Sequence, residues 1–342
     1  MDQEIRINQV PEGQKLDEKM GLMFPCTQVP SFRTVLSEQR GVRNKLLITV
    51  SGGIGDQICA EPTIRYAIEH FKGVTISVAT RYPELFKHLR NRMLYLFDLK
   101  TERPDRKDFM VFECYPEPGN LSTEFLSHST TPCMDYPALH MFRVSLPVRS
   151  KQITLDASDY ETNHDIAFDD AVFIHAGRHW PSKTFPKDWW NSVIETVLDL
   201  DRTPVLIGSN NTTVGNGTVD VDASKCLDLR DKLSIMETVN LLQKARVLLT
   251  NDSSPLHMAA SGDAYIGFIA TCKHADYLTH WRNVGEYGWR MKNFGLGGTW
   301  DLSDFLPNKL EPTYCDQVPE SVLRKWLPSP GSFAGWACSK LA

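Results

Sequence analysis

Residues Lys45–Asp56 read KLLITVSGGIGD, and this stretch decides the fold class. An uninterrupted apolar run is typical of a buried parallel strand, which does not alternate polar and apolar positions. The run ends at Ser51 in a glycine-rich turn, and apolar residues then recur at helical spacing from Ile58 to Phe71. Because a second apolar run follows at residues 74–79, the stretch predicts a β-α-β unit and an α/β protein.

The second half of the chain repeats this alternation of strand and helix. Its predicted strands are 171–175, 204–208, 246–250 and 264–269, and its predicted helices are 187–200, 234–245 and one starting at 254. Ser234 followed by Glu237 is a capping-box pattern, which is typical of a helix start. Single cores stop growing near ~250–300 residues. The 342 residues therefore predict two doubly wound α/β domains that face each other across a cleft.

Four segments are predicted along the chain. They are an irregular N-terminal extension at 1–44, an N-terminal domain at 45–165, a C-terminal domain at 166–312, and a C-terminal segment at 313–342. The last segment is expected to pack back on the N-terminal domain. In the middle of the chain the pattern supports only a strand at 109–112 and long loops at 116–137.

Composition narrows the functional classes. The chain carries 37 Lys and Arg against 42 Asp and Glu, a net charge of −5 without a basic run, which disfavours binding to nucleic-acid backbones. None of the eight cysteines has C-x-x-C spacing, which argues against a zinc site or a disulfide scaffold and fits reduced thiols. With no signal-peptide pattern and no apolar stretch of ~18 residues, we expect a cytoplasmic protein with at most peripheral membrane contact.

The glycine turn is the first segment that predicts chemistry. Gly52, Gly53 and Gly55 allow the backbone to approach a ligand at the carboxyl end of the first strand. A dinucleotide or ATP site is disfavoured, because Ile58 breaks the G-x-G-x-x-G pattern and no Gly-Lys-Ser/Thr follows. Asp56 has two interpretations, a general base that takes a proton from an attacking hydroxyl or an acid that complements the helix dipole.

The second segment is a basic loop, HAGRHWPSKTFP at residues 175–186, directly after a predicted strand. Its candidate ligand-binding residues are His175, Gly177, Arg178, Lys183 and Thr184. Lysine and arginine on such a loop can neutralise a diphosphate leaving group without a metal ion. The alternative is a solvated basic loop with no ligand.

The third segment is LLTNDSSPLHMAA at residues 248–260, where a strand again runs into a polar turn. Ser253 and Ser254 with the backbone N–H groups of a helix start form a candidate phosphate cradle, with Asp252 and His257 beside it. The alternative is an ordinary N-cap. The histidines show no metal-ligand spacing and no nucleophile elbow occurs, so we expect neither a metal site nor hydrolase chemistry.

In this order, the three segments resemble the bacterial heptosyltransferases, the ADP-heptose:lipopolysaccharide enzymes of glycosyltransferase family 9. The resemblance covers roughly residues 45–82 and 170–290 and is most specific at 248–260, where the family typically reads V-T-N-D-S-G-P-M-H-L-A-A. It implies the GT-B fold, two Rossmann-like domains around a cleft. It also implies an inverting, metal-independent transfer from a nucleotide diphosphate sugar, with no further cofactor.

The resemblance also assigns roles to residues. Asp56 matches the catalytic base, Lys183 matches the lysine at the donor phosphates, and Asp252, Ser253 and His257 match the donor-side turn. The chain departs from the family where Ser254 replaces a glycine and where residues 267–272 replace an F-G-P-T turn. These departures leave the donor sugar and nucleobase open.

The acceptor has more than one interpretation. A lipopolysaccharide-type or other saccharide is the expected acceptor. A protein side chain or a hydroxylated base in DNA, as in phage-type modification, is the alternative, although the net charge of −5 counts against DNA. A third hypothesis is a protein that binds a nucleotide sugar without turnover, which the altered donor-side turns would explain.

Overall fold

The computed structural model describes residues 45–71, 73–93, 95–114, 133–142, 146–147, 152–178, 181–210, 217–271, 275, 278, 290–295 and 320–342. The predicted extension at 1–44 and most of the loops predicted at 116–137 lie outside the described residues. So do His179, Trp180 and the first part of the C-terminal segment, 313–319.

The first unit is built around a parallel sheet. Its elements are β1 (Lys45–Val50), α1 (Ile54–His70), β2 (Thr75–Thr80), a 3-10 helix (Pro83–Arg92), β3 (Tyr95–Asp98), β4 (Met110–Cys114) and α2 (Asp135–Phe142). The four described strands are all parallel, in the order β3-β2-β1-β4. The predicted β-α-β unit is confirmed, and the strand predicted at 109–112 corresponds to β4.

The second unit holds a larger parallel sheet. Its elements are β5 (Ala171–His175), β6 (Gly177–Arg178), α3 (Lys187–Asp199), β7 (Thr203–Leu206), β8 (Gly217–Thr218), β9 (Leu227–Asp228), α4 (Ile235–Lys244), β10 (Val247–Asn251), α5 (Ser254–Ala260), β11 (Tyr265–Ile269), β12 (Met291–Asn293), α6 (Glu320–Trp326) and α7 (Pro330–Cys338). The described strands of this sheet follow the order β12-β11-β10-β5-β7-β9, and β6 pairs with β8 in a short antiparallel ribbon. The predicted α/β class with two parallel sheets is confirmed. The domain boundaries themselves stay predictions.

The central strands are buried on both faces, which explains their continuous apolar sequence. In β5, Phe173 faces the core that α4 and α5 cover, whereas Ile174 faces the core under α3 and α7. Thr250 of β10 pairs in register with His175 of β5. The turns that follow these two neighbouring strands therefore lie side by side at one edge of the sheet.

The two units meet where α1 packs against α5. A Cβ at Gly55 would lie 3.0 Å from Cδ2 of His257 and 3.5 Å from Cα of Ser254. The missing side chain at position 55 thus allows the starts of the two helices to approach closely. The glycine turn of the first unit consequently faces the turn that joins β10 to α5 in the second unit, named the donor-side turn after the resemblance.

A buried carboxylate ties the first unit together. Glu61 of α1 accepts hydrogen bonds from Arg65 (2.8 Å), from the backbone N–H of Thr154 (3.2 Å) and from its hydroxyl (3.0 Å), and His88 lies 3.5 Å away. Burial raises the pKa of Glu61, but the hydrogen bonds from His88 and Arg65 outweigh it and hold the pKa below its usual value. The charged form therefore links α1 to the 3-10 helix and to the segment at 152–157.

The C-terminal segment corrects one expectation. Its described part, residues 320–342, packs on the second unit and not back on the N-terminal domain. Phe333 of α7 lies 5.7 Å from the ring of Trp189 and 6.4 Å from that of Trp190 on α3. The indole N–H of Trp189 donates to the carbonyl of Pro328 (2.9 Å). The aromatic face of α3 provides the apolar surface that α7 covers.

None of the five described cysteines forms a disulfide with another described cysteine, and Cys26, Cys272 and Cys315 lie outside the described residues. Within the described part of the chain, no helix combines the length and the apolar character needed to cross a membrane.

Candidate functional site

A cavity of about 640 Å³ lies between the glycine turn of the first unit and the two polar turns of the second. This volume is within the range of sites for small molecules. Every predicted site residue except Thr184 lines it: Gly52, Gly53, Gly55, Asp56, His175, Gly177, Arg178, Lys183, Asp252, Ser253, Ser254 and His257. Residues predicted from three separate segments are therefore brought to one place by the fold.

The glycine turn fixes the position of Asp56. Gly52 has a φ of +92°, and a Cβ there would also collide with the Asp56 carboxylate, so both backbone and space require glycine. The backbone N–H of Gly53 donates to Oδ2 of Asp56 (2.7 Å). The carboxylate thus caps the start of α1 and at the same time faces the cavity, so the two interpretations of Asp56 are compatible.

The basic loop is held to the donor-side turn by Asn251, which the sequence reasoning did not single out. Its amide nitrogen donates to the carbonyls of Gly177 (2.9 Å) and Lys183 (2.6 Å). A Cβ on Gly177 would lie only 2.6 Å from Oδ1 of Asn251. Two signals were available, namely the position of an amide side chain at the end of a buried strand and the asparagine of the T-N-D pattern at residues 250–252.

Lys183 and Asp252 form a buried ion pair. The two charged atoms are 2.5 Å apart, and the side chains are 5% and 6% exposed. The lysine predicted to contact phosphates is therefore fixed at the cavity wall by an aspartate from the neighbouring turn. Arg178 is a second, half-buried cation on the same cavity.

His175 is buried against the donor-side turn. Its Nδ1 lies 3.0 Å from the hydroxyl oxygen of Ser253 and 3.3 Å from that of Thr250. Burial lowers the pKa of His175 to about 4, and a hydrogen bond from the ring to the Asn251 side chain opposes this only in part. The ring is neutral at pH 7 and acts through hydrogen bonding. Ser253, whose side chain makes no capping bond to α5, is therefore not a simple N-cap.

The imidazole ring of His257 lies close to the thiol of Cys59. Its Nδ1 lies 3.4 Å from Sγ of Cys59, which in turn lies 3.4 Å from Sγ of Cys133. Burial lowers the pKa of His257 to about 4, while Asp252 raises it and Lys183 lowers it. Both cysteines line the cavity. Sequence spacing gave no signal for them, because they are distant from each other and from the histidine.

A family model matches the part of the chain that carries two of these turns. Residues 128–266 match the family model described as glycosyltransferase family 9 (heptosyltransferase), a range that includes the basic loop and the donor-side turn. A search of curated proteins gave no match.

Solved structures share the two-sheet fold. The family 9 glycosyl transferase from Veillonella parvula is 11% identical over 87% of this chain and 96% of its own, with a TM-score of 0.53. The dodecameric iron-containing heptosyltransferase TibC of Escherichia coli, solved with ADP-D-β-D-heptose, is 15% identical over 88% of this chain and 76% of its own (TM-score 0.57). ADP-heptose lps heptosyltransferase II of E. coli is 14% identical over 82% and 99% (TM-score 0.52).

These structures extend the likeness to the first unit, which lies largely outside the family match. Because these structures are only 11–15% identical to this chain, they establish the fold alone. Residues 128–266 are therefore similar to glycosyltransferase family 9 (heptosyltransferase), and the chain shares its fold of two facing α/β units with solved structures of such enzymes.

Proposed function

We propose that this protein transfers a sugar from a nucleoside diphosphate sugar to a hydroxyl of a saccharide acceptor, with inversion at the anomeric carbon. One observation carries the proposal: Asp56 of the first unit and the Lys183–Asp252 pair of the second line the same cavity. A carboxylate on one wall and cations on the other suit a displacement in which a proton leaves one partner and a diphosphate leaves the other.

The transfer is a single displacement. The acceptor oxygen attacks the anomeric carbon, and the Asp56 carboxylate takes the proton of that hydroxyl. The bond between the anomeric carbon and the diphosphate oxygen breaks, and its electron pair stays on the nucleoside diphosphate. Attack opposite the leaving group inverts the configuration. The hydrogen bond from Gly53 orients the carboxylate before the acceptor arrives.

The leaving diphosphate is stabilised from the second unit. Lys183 and Arg178 supply positive charge, so this step does not require a metal ion on the phosphates. The Ser253 hydroxyl adds a hydrogen-bond donor, and its contact with neutral His175 orients it. Because these groups are fixed by Asn251 and Asp252 before the reaction, little reorganisation is needed when charge develops.

The names of similar enzymes suggest the first substrates to test. ADP-heptose is the proposed donor, and a lipopolysaccharide-type saccharide is the proposed acceptor, in the cytoplasm. A thermal-unfolding screen across nucleoside diphosphate sugars identifies the donor, since a ligand that binds only the native state raises apparent stability. Transfer is then measured by release of the nucleoside diphosphate and by mass spectrometry of the acceptor, and the anomeric configuration by NMR.

The decisive variant is Asp56→Asn, with Glu237→Gln as its matched control. Both carboxylates accept a hydrogen bond from the backbone at a helix start, 2.7 Å in each case, but Glu237 does not line the cavity. We expect Asp56→Asn to lower kcat by about 10²–10⁴-fold with donor binding retained, and Glu237→Gln to leave kcat unchanged. Full transfer by Asp56→Asn would contradict the assignment of the base. Donor binding without transfer to any acceptor or to water would favour the non-catalytic alternative.

A further inference from the structure

Two cysteines and a histidine meet at the junction of the two units. Cys59 comes from α1, Cys133 from the segment just before α2, and His257 from α5. Their sulfur and nitrogen atoms all lie within 4.8 Å of one another, and all three side chains are buried. The proposed transfer uses neither cysteine.

We propose that Cys59, Cys133 and His257 bind a divalent cation of the zinc class. Sγ of Cys59 is 3.4 Å from Sγ of Cys133 and 3.4 Å from Nδ1 of His257. Around a tetrahedral ion with Zn–S of about 2.3 Å and Zn–N of about 2.0–2.1 Å, neighbouring ligand atoms are about 3.5–3.8 Å apart. The two contacts of Cys59 are thus within a few tenths of an ångström of the spacing that such an ion needs, and the ligand atoms of Cys133 and His257 lie within 4.8 Å of each other.

The chemistry of the donor set selects the metal. Two thiolates and one imidazole suit Zn²⁺, whereas Ca²⁺ and Mg²⁺ prefer oxygen ligands. Among the described residues no fourth histidine, cysteine or carboxylate joins the cluster. Because all three side chains line the cavity, a water molecule or an oxygen of a bound ligand would complete the coordination.

The absence of C-x-x-C spacing argued against a zinc site, but that argument holds only for ligands on one short loop. Here the ligands are 74 and 198 positions apart along the chain, and the fold brings them together. Since Cys59 belongs to the first unit and His257 to the second, a shared ion would tie the two units together beside the cavity. This role goes beyond sugar transfer and does not depend on it.

The test uses the full-length, reduced protein after removal of metal with a chelator. Titration with Co²⁺, a spectroscopic substitute for Zn²⁺, should give thiolate-to-cobalt charge-transfer absorption that saturates at one ion per chain. Elemental analysis after incubation with Zn²⁺ should give the same stoichiometry. Zn²⁺ should also raise the unfolding temperature, because an ion bound only by the native state stabilises it.

Cys133→Ala and Cys59→Ser are the test variants, and Cys338→Ala, a buried cysteine in α7, is the matched control. We expect either test variant to abolish the charge-transfer band and to weaken Co²⁺ binding by more than about 100-fold, a larger loss than outer-sphere changes give. The control should bind as the unchanged protein does. A folded test variant that still binds one ion with unchanged affinity would overturn the proposal.

Two results on the unchanged protein would also overturn it. One is the absence of stoichiometric binding when alkylation and mass spectrometry show that both thiols are reduced. The other is a Cys59–Cys133 disulfide in freshly isolated protein. No donor or acceptor is present in these measurements, so their failure would leave the proposed transfer unaffected.

Discussion

The ammonium nitrogen of Lys183 lies 2.5 Å from Oδ2 of Asp252, and both side chains are almost completely buried. The pair connects the basic loop to the donor-side turn. Burying two charges costs desolvation energy that their attraction roughly offsets, so the pair contributes little net stability while each charge depends strongly on the other. The arrangement places a cation beside the cavity and holds it there.

Breaking this pair from one side should therefore be costly. We expect Lys183→Met and Asp252→Asn each to lower the free energy of unfolding by about 3–5 kcal/mol, because each leaves a buried charge alone. The double variant should lose clearly less than the sum of the two. Urea unfolding measures all three. Asp169→Asn, which breaks the exposed 3.1 Å pair with Arg246, is the control and should cost less than about 1 kcal/mol. The prediction would be wrong if the two single variants lost as little free energy of unfolding as this control.

Gly177 should not tolerate a side chain. A Cβ there would lie 2.6 Å from Oδ1 of Asn251 and 2.7 Å from Cε1 of His175, both buried groups in the wall of the site. We expect Gly177→Ala to destabilise the protein by about 1–3 kcal/mol and to weaken donor binding. Gly335→Ala, in α7 with open space around it, should instead stabilise by up to about 1 kcal/mol. Thermal unfolding measures both variants. Equal unfolding temperatures would show that the side chains around Gly177 can move to make room for a methyl group.

Asn251 should control the order of the basic loop. Asn251→Ala leaves the carbonyls of Gly177 and Lys183 without their amide donor, at about 0.5–1.5 kcal/mol for each lost hydrogen bond. Donor binding should weaken by about 10-fold or more, and hydrogen exchange should speed up in residues 177–183. Asn240→Ala removes a buried amide that donates to the carbonyl of Ala157 (2.8 Å), away from the cavity, and provides the control. Equal effects of the two variants on donor affinity would contradict the role of Asn251.

His175 should make stability depend on pH. Its pKa is lowered from 6.5 to about 4 in the folded protein, so between these values the unfolded chain binds a proton that the folded protein does not. Stability is therefore lost as the pH falls from about 6.5 towards 4, by up to about 1.4 kcal/mol per pH unit for this group. In His175→Gln this contribution disappears, so urea unfolding from pH 7.5 to 4.5 should give a flatter curve. An unchanged slope would show that His175 titrates normally in the fold.

The strands and most helices could be predicted because their signals are local. β1, β5, β10 and β11 are continuous apolar runs, and the Ser234–Glu237 capping box forms in the structure as predicted, with bonds of 2.7 and 3.2 Å. β3 is short and only partly buried, so it has no such run. α2 contains Pro137 near its start, in a stretch whose proline content suggested loops.

The candidate site was predictable in its position but not in its internal contacts. Parallel strands place their carboxyl ends at one edge of a sheet, so the two turns of the second unit could be placed together, and the predicted cleft placed the glycine turn opposite them. That Asp252 pairs with Lys183, or that His257 faces Cys59, depends on side-chain directions that no spacing in the sequence encodes. The C-terminal helix was misplaced for the same reason, because the aromatic face of α3 that it covers becomes visible only after α3 is docked on the sheet.

The position of β10 in the middle of its sheet affects the order in which parts of the second unit unfold. Both neighbours of β10 are hydrogen-bonded to it, and its last residue, Asn251, leads directly into the donor-side turn. Backbone amides of such central strands exchange with solvent only when most of the unit opens, whereas strands nearer the margins are released earlier. The wall of the cavity that the second unit contributes is therefore expected to be among the last parts of that unit to unfold. Partial opening that releases β9 or β12 would leave it assembled.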